Sequence, residues 1–108
     1  MQVWELDSLA PPPHQPEVLR SDDSATRVIA LTLPAGDELQ EHQVHEHSWM
    51  LVARGEVDVT VDGDTRRLGS GAVLYFEPAE RRRVQASSET LLLLLLSPWP
   101  GPGHPSAK

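Results

Sequence analysis

The residues best equipped for chemistry stand close together in EHQVHEHSWM, positions 41–50, where His42, His45 and His47 are three of the five histidines in the chain. Three neutral imidazoles with one coordination position left open suit zinc, copper or nickel, and Glu41 or Glu46 would add an oxygen. His45 and His47 are two apart, so on an extended chain their rings share a side, and His42 joins them where the chain bends near Val44. The competing reading is three exposed histidines on a loop that leads into a strand, among Glu38, Glu41 and Glu46.

A second group is Arg81, Arg82 and Arg83. If a strand begins near residue 82, alternation sends at least one of these side chains inward and another outward. A buried guanidinium needs a partner, either a carboxylate of the chain or the anionic group of a ligand. A solvated turn would instead bridge the arginines to Glu77 or Glu80. Trp49 and Tyr75 lie in strand-like segments as core or cavity wall, and Glu77 is a candidate general base.

The elements that must position these residues are strands. RVIALTL (27–33) and WMLVARG (49–55) are apolar runs, and EVDVTV (56–61) alternates Val57, Val59 and Val61 with Asp58 and Thr60. Asp62-Gly63 is a hairpin signal, and TRRL, AVLYF, RRVQA and TLLLLLL follow at short intervals up to residue 96. Many short strands with regular turn signals and no sustained helical period predict an all-β sandwich or barrel of six to eight strands. Proline-rich ends, APPPHQP and SPWPGPGHP, bracket the ordered part. The expected division is an N-terminal arm over 1–24, a barrel over 25–97 and a tail over 98–108.

Composition narrows the function classes. With 108 residues and no cysteine, the chain reads as one domain without disulfides, thiolate metal sites or a cysteine nucleophile. Its formal charge of −7 argues against nucleic acid as a partner, since phosphate binding needs a basic face. The N-terminus shows no secretion signal, and LLLLLL at 91–96 falls far short of a membrane span. The expectation is a soluble, cytoplasmic protein with no membrane partner. Three of the six leucines must point away from the core, and exposing them would forgo roughly 1.5–3 kcal/mol each. Either a second subunit in a homodimer or the N-terminal VWELDSL segment is expected to cover them.

Taken together, residues 34–87 resemble the cupin superfamily, in particular the small single-domain, RmlC-like cupins common in actinobacteria. Gly36, five residues, His42 and the later Gly55 follow the first cupin motif; Gly71 and Pro78 in GAVLYFEPAERRRV follow the second. The resemblance implies a double-stranded β-helix, or jelly roll, and a metal held by two histidines and a glutamate of the first motif and a histidine of the second. Carried over by position, only His42 matches. The other places fall on Val44, on Ser48, and on Arg82 or Arg83, according to one residue of uncertainty in the loop. Arginine stays protonated and does not ligate metals in practice.

Two functions follow as expectations. One is a binding module that takes a small, anionic organic ligand in its barrel, touching His42, Trp49, Tyr75, Arg82 and Arg83. The other is a metal-dependent enzyme of dioxygenase, isomerase or decarboxylase type. It would use His42, His45 and His47 to hold a divalent transition metal: zinc, nickel, copper, iron or manganese.

Overall fold

Alternation and turn chemistry set the strands of this chain, and the computed structural model describes them for residues 1–39 and 44–103. Nine strands are present among the described residues: β1 Glu17–Ser21, β2 Ala25–Leu33, β3 Glu38–Leu39, β4 His47–Arg54, β5 Glu56–Val61, β6 Asp64–Gly69, β7 Val73–Phe76, β8 Arg83–Ala86 and β9 Thr90–Trp99. A 3-10 turn at Leu6–Ser8 precedes them. They form two antiparallel sheets, ordered β1-β2-β9-β4-β7 and β3-β8-β5-β6.

The β5–β6 hairpin shows the logic. Val57 and Val59 are buried in the core while Asp58 and Thr60 face out, toward Arg67 and Thr65 across the pair. The turn has Asp62 and Gly63 both at positive φ, 51° and 82°, the twist that matches paired strands. The core between the sheets collects the inward residues of both, among them Leu31, Met50, Val57, Phe76, Val84 and Leu92.

β9 is the middle strand of the larger sheet, paired with β2 on one side and β4 on the other. Leu92 and Leu94 join the core, while Leu91 lies on the opposite face with Leu9, Leu19 and Ala30. The chain itself therefore covers part of the outward leucines. Arg54 fixes the covering arm by donating to the carbonyls of Leu6 and Leu9. Leu91 and Leu93 are buried, and Leu95 is left half-buried.

Two boundaries differ from the sequence expectation. β1 lies inside the segment read as an arm, paired with β2 from Glu17↔Ala30 to Ser21↔Arg27. Its side chains are almost all exposed, so no apolar alternation marks it. β9 also runs past Ser97 to Trp99, whose partner is Ala25.

Gly55, at the β4–β5 junction, has φ 92°, and a side chain there would run into the backbone of Glu89 and Thr90, with Thr90 Cα only 2.7 Å from the added carbon. Gly63 shares the positive φ but has open space around it. Gly55→Ala is expected to cost at least about 2 kcal/mol, a fall in melting temperature of roughly 8 °C or more. Gly63→Ala should cost about half that; equal losses in thermal melts would refute the close-packing account of Gly55.

Candidate functional site

β4 presents Ser48, Met50 and Val52 to the interior and His47, Trp49 and Leu51 to the outside, following the period of two. Ser48 is fully buried and lies directly across from Phe76 of β7. Arg82, just before β8, is on the same side as the buried Val84 and Ala86 and is itself only 8% exposed. Its guanidinium carbon stands 4.7 Å over the Phe76 ring. Ser48 and Arg82 thus both border Phe76 inside the barrel.

Arg82 Nη1 and Ser48 Oγ are buried and have no hydrogen-bond partner among the described residues. A third such atom, Arg27 Nε, belongs to a side chain otherwise held by Ser21 and stacked on Trp99. Burial holds the Arg82 guanidinium below its usual pKa, and the nearby charge of Glu80 pulls the other way. The stack on Phe76 recovers about 0.5–2 kcal/mol, but an unmade hydrogen bond to a buried cation costs more than a neutral one.

The neighbouring arginines are ordinary surface groups. Arg83 is exposed and donates to Glu38 across the β3–β8 pair, and Arg81 is exposed. Arg83 therefore points away from the barrel, which removes it from the expected ligand contacts. Its carboxylate partner is Glu38, where the sequence suggested Glu77 or Glu80. Trp49 is removed from the interior by the same parity: 48% exposed, it packs against Tyr75 on the outer face with ring centroids 4.9 Å apart.

The histidines do not share one setting. His42 lies outside the described residues. His45 is half-buried with its ring beside Gly103, and His47 is exposed. The Tyr75 hydroxyl donates to Glu77 at 3.2 Å, which leaves its oxygen to accept from His47 Nδ1. Tyr75 is held above the usual phenol pKa by desolvation and by the charges of Glu77 and Glu80. Among the described residues no three His, Asp or Glu side chains stand close enough together to hold a metal ion.

Between His45 and His47 lies a group whose role the sequence did not reveal. Glu46 is 2% exposed and accepts a 2.7 Å hydrogen bond from the Gly101 amide. The C-terminal segment is thereby fastened to the 44–46 loop, so closely that a side chain at Gly101 would meet the His45 carbonyl at 2.5 Å. Only the pairing of distant segments assigns Glu46 this structural task.

A cavity of about 610 Å³ opens between β6 and β7, the edge strands of the two sheets. Its floor is the inward side chains Val59, Val61, Leu68, Leu74 and Phe76; Arg82 and Ser48 lie behind this lining and are not part of it.

Comparison with known proteins accounts for this architecture. The family model described as "Cupin domain" matches residues 30–97, more than half of the chain. The chain belongs to the cupin family. No curated protein matches it significantly in sequence. Among solved structures, it resembles an RmlC-like cupin from Desulfovibrio desulfuricans with TM-score 0.77 and 20% identity, over 91% of this chain and 97% of the other. A protein with a double-stranded β-helix domain from Klebsiella pneumoniae gives 0.76 and 17%, over 91% and 90%. A Cupin 2 conserved barrel domain protein from Salinispora arenicola gives 0.71 and 18%, also over 91% and 90%. At these identities the likeness is one of fold.

Within this cupin, parity resolves the one-residue uncertainty of the second motif: Arg82, not Arg83, faces inward where the motif has its histidine. The motif positions then carry His42, Val44, Ser48 and Arg82. An aliphatic side chain, a hydroxyl and a buried cation do not make a metal-binding donor set. The residues present do not fit the metal that the fold implies at that place. Because Arg82 is a buried charge with an unmade bond, Arg82→Met should leave the melting temperature of the ligand-free protein unchanged or raise it. A clear fall in Tm would mean that the guanidinium is structurally satisfied.

Proposed function

We propose that this cupin is a binding module whose barrel takes a small organic anion, with Arg82 as its anchor. The observation that carries the reading is the buried Arg82 guanidinium, whose Nη1 has no partner among the described residues, and the Ser48 hydroxyl, likewise without one there, both bordering Phe76. A carboxylate would satisfy both, through charge-assisted hydrogen bonds in a water-poor setting. Ligands of this class fit an apolar cavity with few convergent polar groups. Phe76 and the neighbouring aliphatic floor would take the apolar body.

Calorimetric titration with caproate and with inorganic phosphate tests the reading. Caproate should bind, Arg82→Met should weaken it at least about tenfold, and Arg83→Ala should leave it within about twofold, as expected for an exposed pair. Equal binding by wild type and Arg82→Met would end the proposal. So would near-stoichiometric metal in the untagged protein that is lost in a His42→Ala, His47→Ala variant, which would favour the metalloenzyme.

A homodimer completes the reading. Across the outer face of the larger sheet runs the row Val28, Leu95, Trp49 and Tyr75, with Leu51 and Val73 alongside. Trp49, Val73 and Tyr75 are exposed. The outer face of the smaller sheet is polar, with Asp58–Arg67, Thr60–Thr65 and Glu38–Arg83. A contiguous apolar face beside a polar one is the pattern of a self-association surface. Solution mass at micromolar concentration should be that of a dimer and should halve in Trp49→Glu; a monomeric wild type would refute it.

A further inference from the structure

The outer face of the larger sheet is stepped. Leu9 seats on Leu91, Ala30 and Leu19, so part of that face lies beneath the N-terminal segment. The segment is tied to two strands that are not neighbours: Gln2 Oε1 accepts from Arg20 Nη1 of β1, and the Leu6 carbonyl accepts from Arg54 Nη1 of β4. Its first six residues therefore cross β2 and β9, which lie between those strands. On β4, β7 and the far end of β9 the face is bare, with Trp49, Val73 and Tyr75 exposed and Leu95 half-buried.

The raised part is itself apolar toward solvent, since Val3, Trp4 and Leu6 are exposed. Eight large hydrophobic side chains are exposed among the described residues, and none of them lies on the smaller sheet. A five-stranded sheet whose longest strand has ten residues presents at most about 24 by 33 Å, roughly the 800 Å² that each partner of a standard stable dimer buries. The bare part alone is smaller than that, and the arm supplies the missing area. A raised half beside a recessed half is self-complementary about a two-fold axis, the condition for an isologous dimer. We propose that two copies interlock through this step. The N-terminal arm of one protomer, with Val3, Trp4 and Leu6, seats on the bare Leu95, Trp49, Tyr75 and Val73 of its partner, and the reverse. This rests on the homodimer reading above and adds which elements meet. The arm then serves both copies, with Leu9 toward its own sheet and Trp4 toward the other, and tryptophan is the residue type that most often anchors an interface.

The test is solution mass at micromolar concentration for wild type, Trp4→Glu and Trp49→Glu, with circular dichroism to check the fold. Wild type should have the mass of two chains, and each variant the mass of one with the wild-type spectrum. The chain has no cysteine, so introduced ones report contacts directly. Val3→Cys and Val73→Cys proteins are mixed, left to exchange subunits and oxidised. The mixture should give several-fold more disulfide-linked dimer than either protein alone, because the bond closes only when the two Cα atoms come within about 7 Å. If Trp4→Glu stays dimeric, or the mixture cross-links no better than its components, the interlocked arm is overturned and the homodimer stands. A monomeric wild type, or a dimeric Trp49→Glu, would overturn both. Should Trp4→Glu fail to fold, the cross-link decides alone.

Discussion

The fold depends on β9 being buried from both sides. It is the middle strand of the five-stranded sheet, and its leucines alternate between the barrel core and an outer face that the N-terminal segment covers in part, at Leu91. Inward leucines bind the two sheets together; the outward Leu91, with Ala30, gives Leu9 and Leu19 their docking place. A strand apolar on both faces has no energetic preference between them, so its register must come from elsewhere. It comes from β2 and β4, which flank it and carry their own alternation. The close approach of Gly55 to Thr90 fixes the start of β9 against the β4–β5 turn.

With the hydrophobic frame set in this way, the interior also holds an expensive group. Arg82 is a cation among aliphatic and aromatic side chains, stacked on Phe76 and with one nitrogen unbonded among the described residues. Its neighbours Arg81 and Arg83 show how little the residue type alone decides, for both remain at the surface. A group of this kind costs stability, and a partner that bonds it would lower that cost. In the proposed function that is the carboxylate of a ligand, and the guanidinium supplies the positive charge that a metal would supply in a cupin with a full ligand set.

Much of the frame was legible in the residues. The alternation of Val57 and Val59 with Asp58 and Thr60, the Asp62-Gly63 turn and the Gly36, Gly55 and Pro78 spacing each reflect a local constraint, and the barrel follows from them. β1 was not legible, since an edge strand with an exposed EVLRS sequence has no apolar pattern to show. Glu46 was read as a source of metal-ligating oxygen or as one of the carboxylates around exposed loop histidines, because its bond to Gly101 joins segments far apart in the chain. Trp49 looked like cavity wall by its residue type, and its position on β4 turns it outward.

The sequence by itself determined the fold class, the family resemblance and the replacement of the family's metal ligands at Val44 and Ser48. It also narrowed the last ligand position to Arg82 or Arg83 without choosing between them. Only the tertiary structure chose Arg82, and only it brought Arg82, Ser48 and Phe76 together. The physical reason is the period of two: a single residue of slack in a loop reverses every side chain of the strand that follows. Local pattern cannot remove that slack; the pairing of β8 with β3 and β5 does.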